Sequence, residues 1–195
     1  MEDQKHIVLD IVTRLEVVNM CAEDFDDAMF FMSESKNTDD PFEKRRYIRA
    51  AIVFFCATAE SWARDKIIRC LENKLDRTED EENLYNKLAK STDGIAYLKI
   101  DDLIKKWLPK LVLNAELNDE QEAIINKFKE LANLRNNFIH YSDRNFEEQY
   151  NIERLEEILS DVPQSIGKLI NVFESIEEVT WYINTMDKYG IKIPD

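Results

Sequence analysis

Residues 51–67 read AIVFFCATAESWARDKI. From Ala51 to Ala59 only Thr58 is polar, and Trp62, Ala63 and Ile67 extend the apolar character beyond Glu60. The stretch is too long for a buried strand, contains no Gly or Pro, and is apolar on most sides of a helix. Such a helix belongs at the centre of a bundle. Upstream, Asp40 followed by Pro41 is an N-cap with proline at the first helical position, which predicts a helix over 41–75. The apolar run stops at Glu60, short of the ~18 residues that would span a membrane, so no transmembrane segment is expected.

The remainder of the 195 residues (23.1 kDa) fits the same picture of one all-α domain over 1–195. Apolar residues make up 44% of the chain and include ten Phe, seven Tyr and three Trp, enough to bury a core. Only three glycines are present, Gly94, Gly167 and Gly190, each isolated. Neither a dinucleotide-binding fingerprint nor a phosphate loop can be built from them. Periodic apolar residues Ile7, Ile11, Leu15, Val18 and Ala22 predict a first helix over 5–32, followed by a polar loop over 33–40. A shorter helix is expected over 82–90, a turn at 91–94, and a second short helix over 100–108 that stops at Pro109. Asn118 or Asp119 caps a helix running to Tyr141, with Leu131, Leu134, Phe138 and Tyr141 on its apolar seam. A charged loop over 142–151 precedes a last helix over 163–190, with Gly190 at its C-terminal cap. Four main helices with short connecting helices make a four-to-five-helix bundle.

Charge and cysteine content narrow the function. The net charge of −14 excludes a generic basic nucleic-acid binder. The charge is uneven: residues 1–40 carry −8, residues 145–195 carry −7, and residues 41–144 carry +1. Cys21, Cys56 and Cys70 show no CxxC spacing, and the two histidines, His6 and His140, lie far apart in sequence. That is no zinc pattern, and reduced thiols in a cytoplasmic protein are expected. The opening MEDQKHIVLD is too acidic for a signal peptide. Trp62, Trp107 and Trp181 are expected in the core or at a dimer interface. Glu60, inside the apolar helix, requires a partner, either Arg64 at i+4 or Arg135 across the bundle.

The chemistry concentrates in LANLRNNFIHYSD, residues 131–143. Asn136 and His140 are helical neighbours at i and i+4, and Asn137 and His140 at i and i+3, so the three share a polar face. Phe138 and Leu134 face the core. Arg135 is offset by about 100° from Asn136, so Arg135 and His140 do not stack but can line one cleft completed by a second subunit. The same residues also suit a solvated helix end with His140 near the C-terminal dipole. Arg45 and Arg49 share a face early in the central helix. With Arg64, Lys66 and Arg69 they either form a basic rim for phosphates or a salt-bridged solvated face. Lys105, Lys106 and Lys110 pose the same choice.

RNNFIH resembles the R-x4-6-H signature of HEPN domains, with Asn directly after the Arg. The length, the helical reading, the late placement of the motif and an acidic residue within the long apolar helix are also similar to that family. The specific match spans about a dozen residues. The resemblance implies a HEPN-type bundle, a homodimer, and a metal-independent endoribonuclease site where two copies of the motif meet. It needs no cofactor and uses RNA as substrate. Carried over, Arg135 and His140 are the catalytic pair and Asn136 the supporting polar residue, with Asn137, Tyr141, Arg45 and Arg49 as substrate contacts. The roles implied are those of a toxin or phage-defence effector with an antitoxin or regulatory protein as a further partner. One departure is plain. A subgroup controlled by nucleotide modification carries Tyr two residues after the His, where this chain has Ser142. HEPN-like domains also serve as non-catalytic dimerisation or binding modules, and a helical adaptor in which the motif is accidental is the third alternative.

Overall fold

A computed structural model describes residues 2–89, 100–140 and 151–194, with backbone only for residues 2–19 and for His140. Among the described residues the chain is helical, with no strand. The helices are α1 (Glu2–Asn37), α2 (Pro41–Glu72), α3 (Glu79–Ala89), α4 (Asp119–His140), α5 (Ile152–Asn171) and α6 (Thr180–Lys188). Two π-helical segments, Asp102–Trp107 and Pro109–Leu113, lie between α3 and α4, and a 3-10 turn, Ile176–Glu178, precedes α6. No helix among the described residues is long and apolar enough to cross a membrane.

α2 is the central helix, as its sequence predicts. Ile48, Ala51, Ile52, Phe55, Cys56, Ala59, Ala63, Ile67 and Leu71 are all buried. It starts where Asp40 Oδ1 accepts the Phe42 N–H at 2.9 Å, with Pro41 at the first position. It ends three residues early, because Arg77 Nε donates to the Leu71 carbonyl at 2.7 Å and the Asn73 N–H closes on Arg69. α1 runs antiparallel to it: Asp24 meets Ser61, Phe25 packs edge-on against Phe55, and Phe31 stacks on Tyr47 and Phe54. α5 runs parallel to α2, since Lys44 pairs with Glu156 while Trp62 and Lys66 both donate to Glu174 just beyond α5. α4 is tied to α2 through Arg135 and Glu60 and to α5 through Lys127 and Asp161. Buried residues from all these helices form one apolar cluster.

Four further expectations are corrected. The predicted loop over 33–40 is helical as far as Asn37, because Ser35 is buried and its hydroxyl donates to the Met32 carbonyl at 2.7 Å. The short helix expected at 82 starts at Glu79, set by a reciprocal cap. The Thr78 N–H donates to Glu81 Oε2, and the Glu81 N–H to Thr78 Oγ1. Pro109 does not end its helix. The wide π geometry, in which the Leu108 N–H reaches the Leu103 carbonyl five residues back, carries the chain past a residue with no N–H. Asn114, in the left-handed region at φ 50°, ends it instead.

The fourth correction is the largest. The last long helix begins at Ile152, eleven residues before Pro163, with Asn151 Oδ1 accepting the Arg154 N–H. It breaks after Asn171, whose Oδ1 accepts the Ile176 N–H. Pro163 therefore lies inside α5, where its carbonyl accepts the Tyr182 hydroxyl at 3.0 Å. Gly190 does cap α6: at φ +64° it sends its N–H to Asp187, while the Ile191 N–H reaches Met186. The turn expected at 91–94 and most of the loop over 142–151 lie outside the described residues.

Candidate functional site

α4 carries the motif. Its start is a reciprocal cap: Asn118 Oδ1 accepts the Gln121 N–H at 2.9 Å and Gln121 Oε1 accepts the Asn118 N–H at 3.0 Å. This settles the cap on Asn118. From there Ile125, Phe128, Leu131, Ala132 and Phe138 bury one side of the helix. That burial fixes its rotation and so places Arg135 against α2.

Arg135 Nη2 lies 2.6 Å from Glu60 Oε1. Of the two partners open to Glu60, the structure selects the one across the bundle. Arg64 instead donates to the Leu88 carbonyl at 3.2 Å. The Arg135 side chain is only 16% exposed and Glu60 is 37% exposed, so the guanidinium is held at the base of the surface rather than waving in solvent. Cys56, one turn before Glu60, is buried below the pair, and burial pushes its thiol up to about 12, against the attraction of Arg135. It is a packing residue, not a nucleophile.

Asn136 is exposed, Asn137 is half-buried, and Ile139 is 54% exposed. His140 closes α4, five residues after Arg135; its side chain and Tyr141 lie outside the described residues. The structure therefore brings together Glu60, Arg135 and the face bearing Asn136, but does not describe where the imidazole stands. Arg45 and Arg49 lie nearer the start of α2. Arg45 Nε donates to the Pro41 carbonyl, and its guanidinium sits 4.9 Å from the centre of the Phe42 ring. Lys66 is taken up by Glu174 and Arg69 by Asp65 at 2.8 Å, so these two belong to a salt-bridged face. Lys105 donates to Asn126, and Lys110 pairs with Glu81. Trp62 and Trp107 are buried and Trp181 packs edge-on against Phe25, in line with their expected core role.

Two charged residues escaped the sequence reading. The fully buried Glu81 gathers Lys74, Lys110 and the Thr78 N–H, and a T-x-x-E capping pattern at 78–81 was the signal for it. Glu174 takes both the Trp62 indole and Lys66, and nothing in its local sequence marks it. A shallow depression on α1 and α6, lined by Ala22, Glu23, Asp26, Asp27 and Thr185, carries the wrong sign for a phosphate. No known protein family, curated protein or solved structure matches the chain.

Proposed function

We propose that the protein is a HEPN-like, metal-independent endoribonuclease that acts as a homodimer in a toxin or phage-defence role. The observation that carries this reading is the Arg135–Glu60 pair. It holds a guanidinium in place directly before Asn136 and within about one and a half turns of Ile139 and His140, near the end of a helix whose buried side fixes its rotation. Arg135 binds the scissile phosphate and stabilises the charge that develops on it. His140 moves a proton to or from the 2′-hydroxyl or the leaving oxygen near neutral pH. Asn136 orients one of these groups. The internal 2′-hydroxyl attacks the phosphorus, the 5′-oxygen leaves, and the products are a 2′,3′-cyclic phosphate and a 5′-hydroxyl. The exposed Ile139 beside Asn136 supports a second copy packing there, which would bring two motifs around one two-fold axis.

A non-catalytic dimerisation or binding module is the second reading. It is favoured by the low exposure of Arg135, which an arginine serving only to bind α4 to α2 would also show. The deciding experiment treats total RNA and transfer RNA in EDTA with wild-type protein and with His140→Ala. Cleavage by wild type alone, leaving cyclic-phosphate ends, is the expected result. Absence of cleavage by pure wild-type dimer, across RNAs and with a cell extract added as a source of activator, rejects the ribonuclease in favour of the module.

A further inference from the structure

α2 presents one continuous face from its N-terminus to the Arg135–Glu60 pair. Phe42 and Glu60 are separated by five full turns, so they point to the same side about 27 Å apart. Arg46, Arg49 and Val53 fall on that face between them, Arg49 about three turns from Glu60. Arg46 is exposed, and Arg49, Val53 and Ala57 are half-buried, so among the described residues no other helix fully covers the stripe. Phe42 is 69% exposed, with the Arg45 guanidinium over its ring at 4.9 Å. Of the acidic residues close to it in sequence, Asp39, Asp40 and Glu43, Asp40 is taken up in capping the helix and Glu43 accepts the Thr38 hydroxyl at 2.9 Å. Lys44 is directed away from the stripe to Glu156.

We propose that this face is a track for single-stranded RNA, running from a base-stacking platform at Phe42 along Arg46 and Arg49 to Arg135. In a chain of net charge −14, Arg46 and Arg49 make the N-terminal part of this stripe locally complementary to a phosphate backbone, and the uncharged Val53 and Ala57 continue it to the Arg135–Glu60 pair. The exposed aromatic ring selects an unpaired strand, because a duplex hides the faces of its bases. At about 3.4 Å per stacked nucleotide, about 27 Å of track holds about eight nucleotides. The strand's destination rests on the ribonuclease reading of Arg135 and His140; its binding does not.

The test measures binding of a fluorescent 2′-O-methyl dodecamer, which cannot be cut, by anisotropy over a salt series. Wild type, Phe42→Ala and Arg46→Ala/Arg49→Ala are compared, with helicity by circular dichroism confirming that these surface changes leave the fold intact. The arginine pair should weaken binding about tenfold and lower the salt slope by about 1.4, the value for two lost phosphate contacts on a single strand. Phe42→Ala should weaken it about tenfold with the slope unchanged. The same sequence as a duplex should bind more weakly than the single strand. Equal binding by wild type and variants, tighter binding of the duplex, or no binding by wild type overturns the track. Variants that change the oligomeric state while binding as wild type also overturn it, and make the face an interface between copies. Cleavage of ordinary RNA is read separately. Wild type that binds the dodecamer through these residues but cuts nothing retains the track and loses the ribonuclease. Wild type that cuts RNA while the variants bind as it does loses only the track.

Discussion

Arg135 of α4 and Glu60 of α2 form an ion pair at 2.6 Å that links these two helices, and it joins the sole acidic residue between Phe42 and Arg64 outside the helix's first turn to the first residue of the motif. The pair is partly open to water, so its contribution to stability is modest. Glu60→Ala should cost about 1 kcal/mol, and a double-mutant cycle with Arg135→Met should return a coupling of about that size. On the proposed ribonuclease reading, its effect on RNA cleavage should be larger than its effect on folding. If that reading holds, loosening Arg135 should lower kcat about tenfold or more while KM changes little, because the guanidinium would be misplaced when charge develops on the phosphate. Glu60→Gln, which keeps a hydrogen-bond acceptor, should recover part of kcat. A kcat equal to wild type in both variants would make Glu60 a packing partner only.

Gly167 meets Tyr182 where no side chain fits. A Cβ there would stand 2.3 Å from the Tyr182 hydroxyl and 2.9 Å from Pro194 Cγ. The hydroxyl is itself held by the Pro163 carbonyl, and the Tyr182 ring is fully buried against Phe25. Gly167→Ala should therefore lower stability by about 2 kcal/mol or more, read as a reduced urea midpoint. Tyr182→Phe loses one buried hydrogen bond, at about 1 kcal/mol. Because the two residues touch, the double variant should be less destabilised than the two single costs added together. Additive costs would show that α5 shifts away from Tyr182 without difficulty.

How much was legible follows from how local each signal is. The centre of α2, its Asp40–Pro41 start and the Gly190 cap are written in neighbouring residues, and the structure has them where the pattern puts them. Pro163 misled because proline more often opens a helix than sits within one. The pattern Ile152, Leu155, Leu159, Val162, Ile166 was the stronger local signal, and the proline stays within the helix, with its carbonyl bound by the Tyr182 hydroxyl of α6. The Glu60 partner was narrowed to two by helical spacing, but only packing could choose between them. Glu174 had no local signal, since its partners Trp62 and Lys66 are more than a hundred residues away. The motif itself was legible as residues, whereas the company it keeps depends on the rotation of α4.

The thiols should report the packing directly. Burial pushes Cys21 and Cys56 up to about 12 and also raises the half-buried Cys70. Near pH 8, native protein treated with iodoacetamide should be alkylated at Cys70 first, with Cys21 and Cys56 reacting only on unfolding. Mass spectrometry of the native and urea-unfolded protein gives the order. Early modification of Cys56 would mean that the helix contacts above it open readily, and that Arg135 is less firmly held than its ion pair implies.

Glu81 makes stability depend on pH. Lys74 Nζ at 2.7 Å from Oε2, the Thr78 N–H and Lys110 Nζ at 3.2 Å from Oε1 all favour the charged carboxylate, and together they outweigh burial. They hold its pKa at about 2, below its ordinary 4.5. A carboxylate depressed on folding contributes stability that is fully present above its unfolded value and is lost as pH falls through its folded value. Glu81→Gln should cost about 2 kcal/mol at pH 7, where it replaces a charge acceptor beside two lysines with a weaker one. The difference between wild type and variant should shrink as pH falls from 4.5 toward about 2, since the protonated acid and the amide then make similar contacts. Urea unfolding of both proteins at pH 7 and in that acidic window reads the change. A difference that stays constant would mean that the cap geometry of Glu81, and not its charge, holds α3 to the end of α2.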